Sequence, residues 1–357
     1  MTSLISQFDW ADPILPTVEN PEWEAQVKKE MGQVPDLLTR VSPSNWLRVM
    51  LLKSLRIRVN EFPRHLGDIG TLVCAQENAC RFCYGMARTQ MRLFGYSDKM
   101  ISGIEQDMLM AELDQKDRTF IRFCRSLARS NPRPPKTERD KLLKLGFSEL
   151  AVSEMAFHIA RECFINRVVT FISSPPMYGF ERLPESFMGR FLRPLIAWKI
   201  RSNVWVNQDP LPDPQGHFAG VMKALTGIPA AVIISDGLEG VFASKVLSQE
   251  LKVLMFAVVA RSLCCRFSQE ATTEMAIELG FSELEFEQAL STLTSPRLSV
   301  QEQKLLAWTR ETVHYQTGPI QKRVKALAEE IDGEVLLEAI GLASLANSVV
   351  RLAVLLE

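Results

Sequence analysis

Histidine is scarce in this chain: four in 357 residues, His65, His158, His217 and His314, no two of them close in sequence. A structural zinc site built on two cysteines needs a second closely spaced Cys/Cys or Cys/His pair, and none is present. No metal and no cofactor is expected. Charge of one sign is equally absent, since 41 Lys and Arg stand against 42 Asp and Glu without a block of either. Nucleic acid, which is gripped largely through clustered cations, is therefore not expected as a partner. Long apolar runs are missing too. The longest, residues 253–260, falls well short of the ~20 residues a membrane span needs. No stretch alternates polar and apolar residues with period two, so strands are not required. The first ten residues lack the basic start and apolar core of an export signal. Seven cysteines, an odd number, then read as reduced thiols in a cytoplasmic protein rather than a disulfide framework.

What is present is helix-forming and aliphatic, in a chain long enough for about two domains. Residues 1–24 hold three prolines and scattered aromatics and read as an extended arm. Helices are expected from about residue 23 to 31, after Ser42-Pro43-Ser44, and from Asn60-Glu61-Phe62-Pro63 through Leu66, Ile69, Leu72 and Val73 into a Cys80-Arg81-Phe82-Cys83 stretch. Further helices are expected up to Phe94, over 114–129 and 138–145, and from Glu149 to about Ile172. Asn131-Pro132-Arg133-Pro134-Pro135 marks a firm break. Residues 173–216 are rich in proline and contain one basic, apolar piece, 187–199. A membrane-surface helix has this composition, but Pro194 and the low charge count favour a linker packed between two halves.

The second half echoes the first. Cys80-Arg81-Phe82-Cys83 returns as Cys265-Arg266-Phe267-Ser268 and Gly95-Tyr96-Ser97 as Gly280-Phe281-Ser282, both at an offset of 185. Asn166-Arg167-Val168-Val169 is answered by Asn347-Ser348-Val349-Val350 at 181, as one small loop deletion would produce. The pattern reads as a tandem duplication of one all-α unit, with an arm (1–24), a first domain (25–172), a linker (173–216) and a second domain (217–357). The period is too long for a solenoid repeat.

Two thiols three residues apart can close a small disulfide ring, share a proton or bind a soft metal. The run from Asp68 through this pair to Gly95-Tyr96-Ser97, then Asp117-Arg118, Gly146-Phe147-Ser148 and Phe164-Ile165-Asn166-Arg167, resembles the alkyl hydroperoxidase D-like domain of the carboxymuconolactone decarboxylase superfamily. The resemblance is fuller over 34–172 than over 225–357. It implies an all-α fold, a homo-oligomer, most simply a trimer for a fused pair (a monomer whose halves satisfy each other is the alternative), and a redox dithiol that reduces a hydroperoxide or disulfide substrate and is restored by an external dithiol reductant. In peroxidase members a glutamate twelve residues before the first cysteine and a histidine four after the second relay protons; here Asp68 and Ala87 stand at those positions.

The candidate site is thus Cys80, Cys83 and Asp68. Glu77, one turn before the cysteines, is a substitute base, and His65, three residues before Asp68 on one helix face, is a displaced relay or a helix-flanking residue. His158 is a further candidate for a place near the thiols or a core histidine. Cys74, Cys124 and Cys163 fall on apolar faces and read as structural. The second copy has Val253 for Asp68 and Ser268 for Cys83, so it keeps a fold without the chemistry. Against the redox reading stand a non-catalytic binding or assembly module, and a decarboxylase-like enzyme in the same pocket.

Overall fold

The computed structural model describes residues 9–106, 113–131, 136–207, 211 and 216–355. The start of the arm, the prolines of the 132–135 break and part of the linker near 208–215 lie outside the described residues. The protein is all-α. Among the described residues no strand forms, and Ile57 and Trp205 make one isolated parallel bridge.

The arm leads into α1 (Pro21–Met31), α2 (Asp36–Arg40) and α3 (Asn45–Ser54). Then come α4 (Arg64–Glu77), α5 (Arg81–Phe94), α6 (Asp98–Gln106), α7 (Gln115–Arg129), α8 (Lys136–Lys144) and α9 (Glu149–Phe171). A connecting segment carries α10 (Tyr178–Glu181), α11 (Phe187–Phe191) and α12 (Arg193–Ser202). The second half holds α13 (Ala219–Ala224), α14 (Val232–Ala243), α15 (Gln249–Ser262) and α16 (Arg266–Glu278). It ends with α17 (Glu283–Thr292), α18 (Val300–Glu311), α19 (Thr317–Ala328) and α20 (Gly333–Val354).

Two helices form the centre. Helices α9 and α20 are buried on nearly every side; α20 is mostly apolar, α9 carries buried polar and charged side chains held by partners, and the two pack on each other. Ser348 on α20 donates to the Ala160 carbonyl of α9 at 2.9 Å. Helix α20 is the one described helix long and apolar enough to cross a membrane, and 94 % of its apolar window is buried inside the protein. Around this pair, α4 packs on α7 and α9, and α15 on α16, α18 and α20. Residues 9–20 run over both halves: Ile14 N–H bonds to Ile172 O and Ala11 N–H to the Gln321 side chain.

The structure departs from the sequence expectations at two places. Cys80 and Cys83 do not lie within one continuous helix. Helix α4 stops at Glu77, Ala79 takes a left-handed turn (φ 46°), and Cys80 is the N-cap of α5. The 187–199 piece is not packed between the halves either. Pro194 sits in the first turn of α12, where its missing N–H costs no helix bond, so it starts a helix instead of breaking one. The segment lies along α5, and its largest apolar side chains face outward.

Candidate redox site

The turn before Cys80 is held from both halves of the chain. Arg167 on α9 donates to Asn78 Oδ1 at 2.8 Å, the Tyr315 hydroxyl to Asn78 O at 2.8 Å, and the Thr317 hydroxyl to Ala79 O at 2.8 Å. The two hydroxyl bonds satisfy carbonyls that the end of α4 leaves without helical partners. They also fix the direction in which α5 sets out. Arg167 is itself buried, with its remaining donors on the carbonyls of Cys163, Thr312 and Val313.

At the start of α5, Cys80 and Cys83 stand at disulfide distance, their Cα atoms 5.3 Å apart. The Cys80 sulfur accepts the Cys83 backbone N–H at 3.3 Å. A helix N-terminus with a free N–H aimed at sulfur favours the thiolate. The two sulfurs are not equivalent. Cys80 is fully buried, whereas Cys83 opens onto a cavity of about 250 Å³, near the small end of ligand pockets, roughly 300 Å³ and upward. Phe82, Met86, Ala87 and Ile165 give this cavity an apolar wall.

Its polar wall comes from α4 and α9. Asp68 accepts a hydrogen bond from the Tyr96 hydroxyl at 2.9 Å, with Arg201 at 3.7 Å. Burial pushes the Asp68 carboxyl above its ordinary range, and these two neighbours only partly offset the cost. His158 takes one definite tautomer. Its Nδ1 accepts from Arg161 at 3.0 Å, and because a guanidinium only donates, Nδ1 carries no proton. Its Nε2–H donates to Gly67 O at 3.1 Å and lies 3.4 Å from the Thr71 hydroxyl oxygen. Thr71 donates onward to Glu162 at 3.1 Å, and Glu162 pairs with Arg161, which closes a ring of four side chains. Burial first, then the Arg161 charge, hold His158 well below the usual imidazole range, so the ring is neutral. A Cβ at Gly70 would lie 3.1 Å from this imidazole; the absence of a side chain there makes the space.

Of the residues singled out by sequence, Cys83, Asp68 and His158 border one cavity. His65 does not border it. Its Nε2 bonds to Asp117 at 2.9 Å and ties α4 to the start of α7. Glu77 is also directed elsewhere: its carboxylate is held by Arg125 and Arg129, because the turn at Ala79 separates the end of α4 from the start of α5. Sequence reasoning missed Tyr96, Thr71, Arg161 and Glu162. The last two share a helix face with His158 at spacings of three and four, and that pattern was the available signal. Cys74, Cys124 and Cys163 are buried, and a hydrogen bond with Cys124 first, then burial, keep Cys74 protonated. Among the described residues no cluster of His, Cys, Asp and Glu fits a metal ion. In the second half, Cys265 caps α16 and its sulfur meets the Ser268 hydroxyl at 3.3 Å.

No protein-family model matches the chain, and no curated protein matches it. A solved structure of an uncharacterized peroxidase-related protein from Silicibacter sp. TM1040 is 17 % identical, covering 48 % of this chain and 97 % of its own, with a TM-score of 0.40.

Proposed function

We propose that the chain is a dithiol oxidoreductase, of the alkyl hydroperoxidase D-like kind, that reduces a hydroperoxide or a disulfide at Cys83. The observation that carries this reading is the pair at disulfide distance with one sulfur buried at a helix N-cap and the other open to a cavity. In the peroxide reaction the Cys83 thiolate attacks one peroxide oxygen: the S–O bond forms, the O–O bond breaks, and the alcohol leaves as its oxygen takes a proton. The sulfenic sulfur is then attacked by the Cys80 thiolate, a disulfide forms, and water leaves. An external dithiol returns the two electrons by attacking Cys83, with Cys80 leaving as the thiolate that the helix terminus favours. Asp68, with a raised carboxyl pKa, is the group in the cavity suited to pass the proton.

One such site per chain is proposed, within a duplicated fold. Support for the duplication comes from positions 185 apart: α4 and α15 have the same length, and Ala79 and Cys264 share φ values of 46° and 51°. A second cavity is bordered by Val253, Met275 and Leu279, the counterparts of Asp68, Gln90 and Phe94.

The test is a count of free thiols after the reduced protein meets a modest excess of cumene hydroperoxide. Loss of two thiols per chain, much faster than from an unstructured thiol, is expected. Reaction no faster than that reference would remove the proposal. Ala87 at the relay position favours a second reading, a fold kept for binding or for decarboxylase-like chemistry without a redox step, and the same count separates the two.

A further inference from the structure

Helices α11 and α12 gather apolar side chains on the outer surface. Phe187 is 85 % exposed, Phe191 78 %, Trp198 66 %, Met188 64 % and Leu195 57 %. Half-buried Ile196 and Ile200 hold the segment from its other side, and Arg201 lies over the Phe94 ring at 4.2 Å. Four cations share the segment, Arg190, Arg193, Lys199 and Arg201, all exposed, and no acid occurs from residue 186 to 208. The nearest acids before it are engaged: Glu181 by Arg81 and Glu185 by Arg92.

We propose that this face docks the protein on the surface of an anionic phospholipid bilayer. Phenylalanine, leucine and tryptophan side chains suit the boundary between headgroups and acyl chains, and arginine and lysine among them pair with lipid phosphates. A second copy of the chain fits less well. A twofold contact would be self-complementary and would bring the basic patch of Arg190, Arg193 and Lys199 against the same patch of the other copy, a like-charge juxtaposition that costs affinity. Docking would also place Ile200, Arg201 and Val204, which border the Cys83 cavity, beside the lipid headgroups. The docking goes beyond the redox reading and does not depend on it.

The test is co-sedimentation of the full chain with phosphatidylcholine vesicles, with and without about 30 % phosphatidylglycerol. The expected result is partitioning at least about tenfold stronger on the anionic vesicles, weakened by salt. Two variants away from the cavity, Phe191→Ser/Trp198→Ser and Arg190→Glu/Arg193→Glu, should each reduce it at least about fivefold while keeping the wild-type thermal transition. Hydrogen exchange of the wild-type chain, which needs no variant, should show protection over 187–201 when anionic vesicles are added. Partitioning indifferent to vesicle charge, or exchange unchanged in that segment, would overturn the proposal. So would self-association abolished by Phe191→Ser/Trp198→Ser in a chain that ignores vesicles, which would assign the face to a second copy.

Discussion

A thiol facing a mostly apolar cavity must pass its proton to something, and Asp68 carries that argument. Burial raises its folded pKa above the ordinary 3.8, so the folded chain holds the proton more tightly than the unfolded chain. Its contribution to stability is complete below pH 3.8 and is lost as pH rises through the raised value, which leaves a cost at neutral pH. Asp68→Asn keeps an acceptor for Tyr96 and has no charge to desolvate. It should raise the thermal midpoint at about pH 7, lose that gain toward about pH 4, and slow thiol oxidation at neutral pH. A neutral-pH midpoint equal to or below wild type would contradict the assignment. His158 acts with the opposite sign. Its depressed folded pKa supplies stability above the ordinary 6.5 that is lost as pH falls below it. Asp68 was legible because a spacing of twelve from Cys80 is a sequence property. The spacing of His158, Arg161 and Glu162 on one face of α9 was open to sequence, but their link to Thr71 on α4 is a matter of tertiary packing. Glu77 was misread for a related reason: counting residues assumes that the helix continues, and the left-handed Ala79 ends it.

At the scale of the element, α5 does three things. Its N-terminus holds the thiols, its inner face packs on α4 and α9, and its outer face supports the connecting segment. Arg81 meets Glu181 through two bonds, at 2.6 and 2.9 Å. That pair lies so close to the helix that a Cβ at Gly85 would stand 2.0 Å from a Glu181 oxygen and 2.6 Å from Arg81. Gly85→Ala should therefore displace the ion pair and the segment. The gain in helix propensity, up to about 1 kcal/mol, should be outweighed by steric and lost-contact terms of about 1–3 kcal/mol. Chemical denaturation checks this, and a variant as stable as wild type would show that the segment yields freely. Helix positions were largely legible from capping residues and apolar spacing, as at Ser42-Pro43-Ser44, where Ser44 is the N-cap of α3. The outward face of α11 and α12 was not legible. A proline inside an apolar run looks the same in sequence whether it breaks a helix or begins one.

For the whole molecule, the second half contributes to the site although it lacks the second cysteine. Tyr315 and Thr317 hold the turn that precedes Cys80, and Arg167 reaches the carbonyls of Thr312 and Val313. Ser268, 185 positions after Cys83, therefore does not make the second half dispensable. The all-α class was legible from the absence of alternation. The contacts between halves were not, since nothing local marks Tyr315 as a partner of Asn78. A homo-oligomer, most simply a trimer, remains the proposal for assembly, and a light-scattering mass of 40.3 kDa would contradict it.

The central claim is that Cys83 meets the substrate and Cys80 resolves it. Intact mass after brief exposure of Cys80→Ser and Cys83→Ser to hydroperoxide, with dimedone present to trap sulfenic acid, tests it most directly. One dimedone adduct is expected at Cys83 in Cys80→Ser and none in Cys83→Ser. An adduct at Cys80 in Cys83→Ser, or no adduct in either variant, would contradict it.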